Sequence, residues 1–206
     1  MGKPEAERIR RHIENLDSPD ANVSARAEDY LLRYYGTRAL EQLLTACDHP
    51  NPVVRFRAVW VLGYTKDPRA FDAIHRLTDD PEERVRYDAT IALGIHGDTR
   101  AIPHLYRMFL VGDYTRPASM AFARIGLSAL PSMKKALKNR RAKIRQWAID
   151  MVGHFAEEFG DPECMGLLRK FCKDPNAGVR NEAEFWLKEI GDAPDPVSSR
   201  RRGRCS

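Results

Sequence analysis

The chain has 206 residues, 43% of them apolar and 31% charged, with a formal net charge of +5. That composition gives enough apolar material for a packed domain and excludes a disordered chain, and its longest apolar runs are single helix turns, far short of the ~20 residues a bilayer span needs. The N-terminus has no signal-peptide core and no Ser or Thr at position six for myristoylation, so the expected location is the cytoplasm, without a membrane partner.

Residues 1–16 read as an N-terminal capping helix, with Ile9, Ile13 and Leu16 on one stripe among Glu5, Glu7, Arg8, Arg10 and Arg11. From 17 to 192 one helical motif recurs six times. Its clearest copies begin at Val54, Val85 and Ile144, its looser ones at Val23, Tyr114 and Val179, and its alanines fall at 27, 58, 89, 118, 148 and 183, between 29 and 35 residues apart. A period near thirty is that of a solenoid. Within a copy the apolar residues stand at i, i+4, i+7 and i+8, as in Val54, Ala58, Val61 and Leu62, which is one face of an α-helix.

A second amphipathic stretch follows each motif, such as 70–77 and 101–109, so each repeat is a helix pair, A then B. Asn51-Pro52 caps an A helix, whereas Asp67-Pro68, Asp98-Thr99 and Asp161-Pro162 cap B helices. Gly63, Gly94 and Gly153 mark the neighbourhood of A-helix ends, and Gly36, Gly97, Gly126, Gly160 and Gly191 the A–B turns. The expected fold is therefore all-α, an α-solenoid of about six stacked helix pairs over 17–192, its last pair cut short after Gly191. Residues 193–206 read as a disordered basic tail carrying Arg200, Arg201, Arg202 and Arg204.

The string Val-Arg-x-x-Ala, then Ala-Leu-Gly-x-x-Gly-Asp at 92–98 and Ala-Ile-Pro-x-Leu at 101–105, resembles the short HEAT-like repeats of phycobilisome bilin lyases and bacterial scaffold proteins. The resemblance implies a HEAT-like fold. For function it implies either a scaffold or, as an alternative, a lyase or chaperone-like subunit handling a tetrapyrrole, although no lyase catalytic motif transfers to named residues. In this repeat family the arginine after the first apolar residue (Arg55, Arg86, Arg145, Arg180) ties one repeat to acids or carbonyls of the next.

Catalytic and metal chemistry find little footing. Cys47, Cys164, Cys172 and Cys205 have no Cys-x-x-Cys spacing, and the first three read as buried free thiols. The six histidines are scattered, and His154 with Glu157 reads as a surface pair. No catalytic residue, metal ligand or cofactor is assigned.

Charge is the departure that points to a partner. Between Asp113 and Asp150 there are 36 residues with no acid and nine bases. One B-helix column reads Thr45, Arg76, Arg107, Lys135, Lys170 and its neighbour Leu44, His75, Tyr106, Lys134, Arg169. With B helices on the concave side, Arg76, Arg107, Lys134, Lys135, Lys138, Arg169 and Lys170 form a basic groove for an acidic protein surface or another polyanion. An alternative binding face carries Trp147 and Asp150, which break their columns, beside Arg140, Arg141 and Lys143. The reading is a monomeric, non-catalytic protein-binding scaffold; nucleic-acid binding, or an alkylpurine glycosylase-like activity that Trp, Asp and Arg together resemble, stands third.

Overall fold

The structure is a computed structural model that describes residues 3–111 and 114–191. The basic tail expected over 193–206 lies outside the described residues. The chain divides into two compact units, Met1–Ile125 and Gly126–Ser206. Among the described residues every regular element is helical.

Unit 1 opens with α1 (Lys3–Asn15), whose Ile9 is fully buried, as is Leu16 just beyond its end. A helices then alternate with B helices: α2 (Ala21–Tyr30), α3 (Leu40–Ala46), α4 (Pro52–Thr65), α5 (Ala70–Leu77), α6 (Glu83–His96), α7 (Ile102–Val111) and α8 (Thr115–Ile125). Unit 2 continues the alternation with α9 (Leu130–Ala136), α10 (Ala142–Phe159), α11 (Pro162–Phe171) and α12 (Ala177–Glu189). The repeat alanines are the innermost column, all fully buried except Ala27 at 2%.

Caps start the helices where the sequence places them. Asn51 accepts from the Val53 amide with Pro52 in the first turn, and Asp161 accepts from Cys164 with Pro162 in the first turn. Asp67 and Asp98 accept from the amides of Arg69 and Arg100, fixing the tight turns that lead into α5 and α7. Gly36, Gly97, Gly126, Gly160 and Gly191 all have positive φ, so each is a turn glycine.

Gly63 and Gly94 lie near the ends of α4 and α6 as expected, whereas Gly153 corrects the expectation, lying well inside the 18-residue α10. Their role is close approach. A Cβ on Gly94 would lie 2.3 Å from the Ala121 Cα, and one on Gly153 would lie 2.1 Å from the Trp186 ring. Consecutive A helices therefore pack backbone to backbone, α4 on α6 and α6 on α8, and α10 takes the indole of α12 across a bare turn.

Two of the three described thiols follow the buried reading, and Cys172 departs from it, being only half-buried. Cys47 and Cys164 are buried, and burial pushes both thiols up to about 12. Since the thiolate is the reactive form, iodoacetamide labelling with peptide mapping is expected to leave Cys47 and Cys164 unmodified until the chain is unfolded. Rapid native modification of either would place it at the surface.

Candidate functional site

The recurrent arginine is structural. Arg55 grips Asp80 with two nitrogens at 2.8 Å each and also donates to the carbonyls of His49 and Pro50. Arg145 repeats the arrangement on Asp174, at 2.9 and 2.8 Å, and on the carbonyls of Asn139 and Arg140. Each of those aspartates heads an Asp-Pro loop whose carbonyls are taken by the next arginine, Arg86 or Arg180. One loop thus receives a guanidinium from the repeat before it on its side chain and one from its own repeat on its backbone. Arg86 donates to the Tyr114 hydroxyl at 2.6 Å.

The basic column separates by unit. In unit 1 Arg76 is neutralised by Asp48 at 2.5 Å. Arg107 lies against His104, its Nη2 donating to Nδ1 at 3.3 Å. In unit 2 Lys134 pairs with Glu163, and the Lys170 ammonium sits 6.0 Å from the Phe171 ring centroid. Lys134, Lys135, Lys138, Arg169 and Lys170 are all exposed. Arg140, Arg141 and Lys143, from the alternative face, are exposed too and run on from Lys138 into the start of α10. That helix begins without a side-chain cap and has no acid in its first turn. Bases gathered at a positive helix terminus cost stability, typically ~0.3–1 kcal/mol each at the surface.

The two column-breaking residues have different explanations. The half-buried Trp147 carries the Lys143 ammonium 5.2 Å from its ring. Asp150 stands where Trp60, Ile91, Met120 and Phe185 are apolar, although Asp29 shares the column, and it accepts the indole N–H of Trp186 at 3.2 Å. Trp186 is 6% exposed, lies on Gly153 and meets the His154 ring edge-on at 4.5 Å. His154 lies 4.0 Å from Asp150, a turn away from a metal-like pairing with Glu157.

A further feature escaped the sequence reading. On the A-helix surface of unit 1, Phe56, Trp60, Tyr87, Ile91 and Met120 line a depression of about 680 Å³. Arg57 and Arg84 flank Phe56 at 5.5 and 5.4 Å from its centroid and are held by Glu28 and Asp88 at 2.7 and 2.6 Å. Burial raises the Asp88 carboxyl above its ordinary range, opposed by Arg84. Its charges cancel in pairs, so the depression offers aromatic surface and no net field. The signal was present in the columns two residues either side of the repeat alanine, where Phe56, Tyr87, Trp60, Ile91 and Met120 alternate.

A second depression in unit 1, of about 480 Å³, lies between the end of α5, α7 and the start of α8 and includes His75, His104 and Arg107. Among the described residues no group of three or more His, Cys, Asp or Glu is placed to hold a metal ion. None of the described helices is long and apolar enough to cross a membrane.

Residues 37–123 match the HEAT repeat family. Over that stretch the chain carries HEAT-like repeats. Among solved structures, the complex of CpcE and CpcF of phycocyanin lyase from Nostoc sp. PCC7120 is 20% identical, aligning 89% of this chain with 77% of that one at a TM-score of 0.52. YibA of Escherichia coli is 15% identical, aligning 93% of this chain with 77% of that one at a TM-score of 0.55. At such identities the HEAT-like chain shares their fold. No protein of curated function matches its sequence.

Proposed function

We propose that this HEAT-like protein is a non-catalytic binding scaffold whose basic surface on unit 2 docks an acidic protein partner. The observation that carries the reading is the run Lys134, Lys135, Lys138, Arg140, Arg141 and Lys143, all exposed within ten residues and ending at an uncapped helix start. Sequence around them holds no acid from 114 to 149. Folding gains little from that arrangement, because exposed ion pairs such as Lys134 with Glu163 contribute ~0–1 kcal/mol and bases at a helix N-terminus oppose the dipole. An acidic surface offsets the mutual repulsion and is steered onto the site. Lys170 and Arg169 on α11 extend the same charge on unit 2.

The test uses poly-glutamate as the acidic probe and duplex DNA as the competing class. Lys135→Glu combined with Lys138→Glu is expected to weaken poly-glutamate binding about tenfold, equivalent to ~1.4 kcal/mol. Arg10→Glu with Arg11→Glu, an equal change of charge on α1, is expected to leave it unaltered. Equal losses in both variants would reduce the effect to net charge and remove the site. Tighter binding to DNA, falling ~10³-fold between low and moderate salt, would replace a protein partner with nucleic acid. Uptake of a coloured tetrapyrrole would favour the bilin-handling alternative.

A further inference from the structure

We propose that the depression between the end of α5, α7 and the start of α8 binds a phosphoryl group, with Arg107, His75 and Tyr114 as its donors. Arg107 can only donate, so His104 Nδ1 accepts from it at 3.3 Å and the proton of the neutral ring stands on Nε2. That N–H meets Thr78 Oγ1 at 3.0 Å, and the Thr78 hydroxyl donates to the His75 carbonyl at 2.6 Å. The chain from Arg107 through His104 to Thr78 is closed and holds His104 neutral. Burial first, then His75 and Arg107, lower the His104 pKa, while Asp79 opposes them.

The donors that remain face the same space. The His75 ring is stacked on Phe71 at 5.7 Å and meets His104 edge-on at 4.5 Å, so it is positioned, yet its nitrogens have no hydrogen-bond partner among the described residues. Among the described residues the Arg107 guanidinium has no carboxylate within ion-pair distance, in contrast to Arg76 on the preceding repeat. Tyr114 accepts from Arg86 at 2.6 Å, which leaves the phenol hydrogen to point elsewhere and makes it a stronger donor. A planar fork, an imidazole N–H and a phenol O–H around one space suit the three peripheral oxygens of a phosphomonoester better than the two of a carboxylate. Met108 and Val111 add an apolar wall for the group that carries the phosphate. Among the described lining residues the opposing charge is Asp79, exposed on the rim. In this respect the site differs from the A-surface depression, whose four charged side chains neutralise one another.

Titration calorimetry with phenyl phosphate tests the proposal on the intact chain. One saturable site is expected, weakened about tenfold by Arg107→Gln, equivalent to one lost charged contact. Tyr114→Phe is expected to weaken it less, and Asp79→Asn to tighten it about threefold by removing a like charge. The imidazole C2 proton shifts of His75 and His104 are expected to move on binding. Absence of a saturable site, or equal binding by the Arg107→Gln variant, would overturn the proposal. Benzoate binding as tightly as phenyl phosphate would reassign the pocket to carboxylates and overturn the phosphoryl class. The Lys135→Glu, Lys138→Glu variant is expected to keep full phenyl phosphate affinity, which separates this pocket from the basic surface of unit 2; loss there would move the anion to that surface and end the proposal.

Discussion

Replacing Asp174 with alanine is expected to cost unit 2 about 3 kcal/mol of stability, the typical penalty for breaking a buried pair on one side. The carboxylate is 5% exposed and its partner Arg145 13%, so neither is screened by solvent. Two effects add when the acid is removed. Arg145 loses both of its charge-assisted bonds and keeps a buried positive charge balanced only by the carbonyls of Asn139 and Arg140. The Asp-Pro loop also loses the bond from the Asn176 amide to Asp174 Oδ1, at 2.8 Å, which sets the start of α12. Urea unfolding of the intact chain measures the loss. A change below about 1 kcal/mol, the range of an exposed pair, would show that the tether is ornamental.

The same pair sets a direction for acid sensitivity. Arg145's hydrogen bonds hold the Asp174 carboxyl below its usual range, with burial opposing. At Asp80 burial is the largest influence and works the other way, but the bonds from Arg55 and the Glu82 amide prevail and the net shift is again downward. A carboxylate with a depressed native pKa contributes stability above its unfolded value, ~3.9, and loses that contribution as pH falls through the native value. Stability is thus expected to fall below about pH 4, and Asp174→Asn, which cannot ionise, to flatten the profile while lowering it throughout.

Periodicity made the repeats legible because stacking needs the same small buried residue once per turn of the superstructure. The alanine column, the Asp and Asn caps and the turn glycines were all readable from spacing alone. The arginine tether was implied by the repeat resemblance, and one detail of it is visible in the sequence: where Thr115 replaces the arginine, Asn139 replaces the acid that would receive it. What the sequence hid were contacts between residues about thirty apart. Asp48 is a turn residue in sequence, yet in space it neutralises Arg76 and removes one base from the expected groove. Asp150 looked like an exposed departure until Trp186 supplied the donor it serves. Of the helical glycines only Gly153 misled, for the same reason, since a glycine that admits a neighbouring ring cannot be told from a helix stop without the neighbour.

Those glycines give a prediction whose sign changes with distance. Replacing a helical glycine by alanine gains up to ~1 kcal/mol of helix propensity when nothing opposes it. At Gly166 in α11 an added Cβ meets nothing within 4 Å, so Gly166→Ala is expected to stabilise. At Gly63 the Cβ meets Ala92 backbone and side-chain atoms at 3.1 to 3.2 Å, tight enough that a small displacement of α6 offsets the propensity gain. At Gly94 it would lie 2.3 Å from the Ala121 Cα and 2.8 Å from the Ala121 oxygen, neither of which can rotate away. α6 and α8 must then separate, opening contacts around Leu93, Ala118 and Phe122 that are now fully buried. Overpacking of this kind costs ~1–3 kcal/mol and more where backbone must move, so Gly94→Ala is expected to lose about 3 kcal/mol net. Thermal and urea unfolding of the three variants would rank them Gly166→Ala, Gly63→Ala, Gly94→Ala. A Gly94→Ala protein as stable as the parent would show that the A helices are not in backbone contact there.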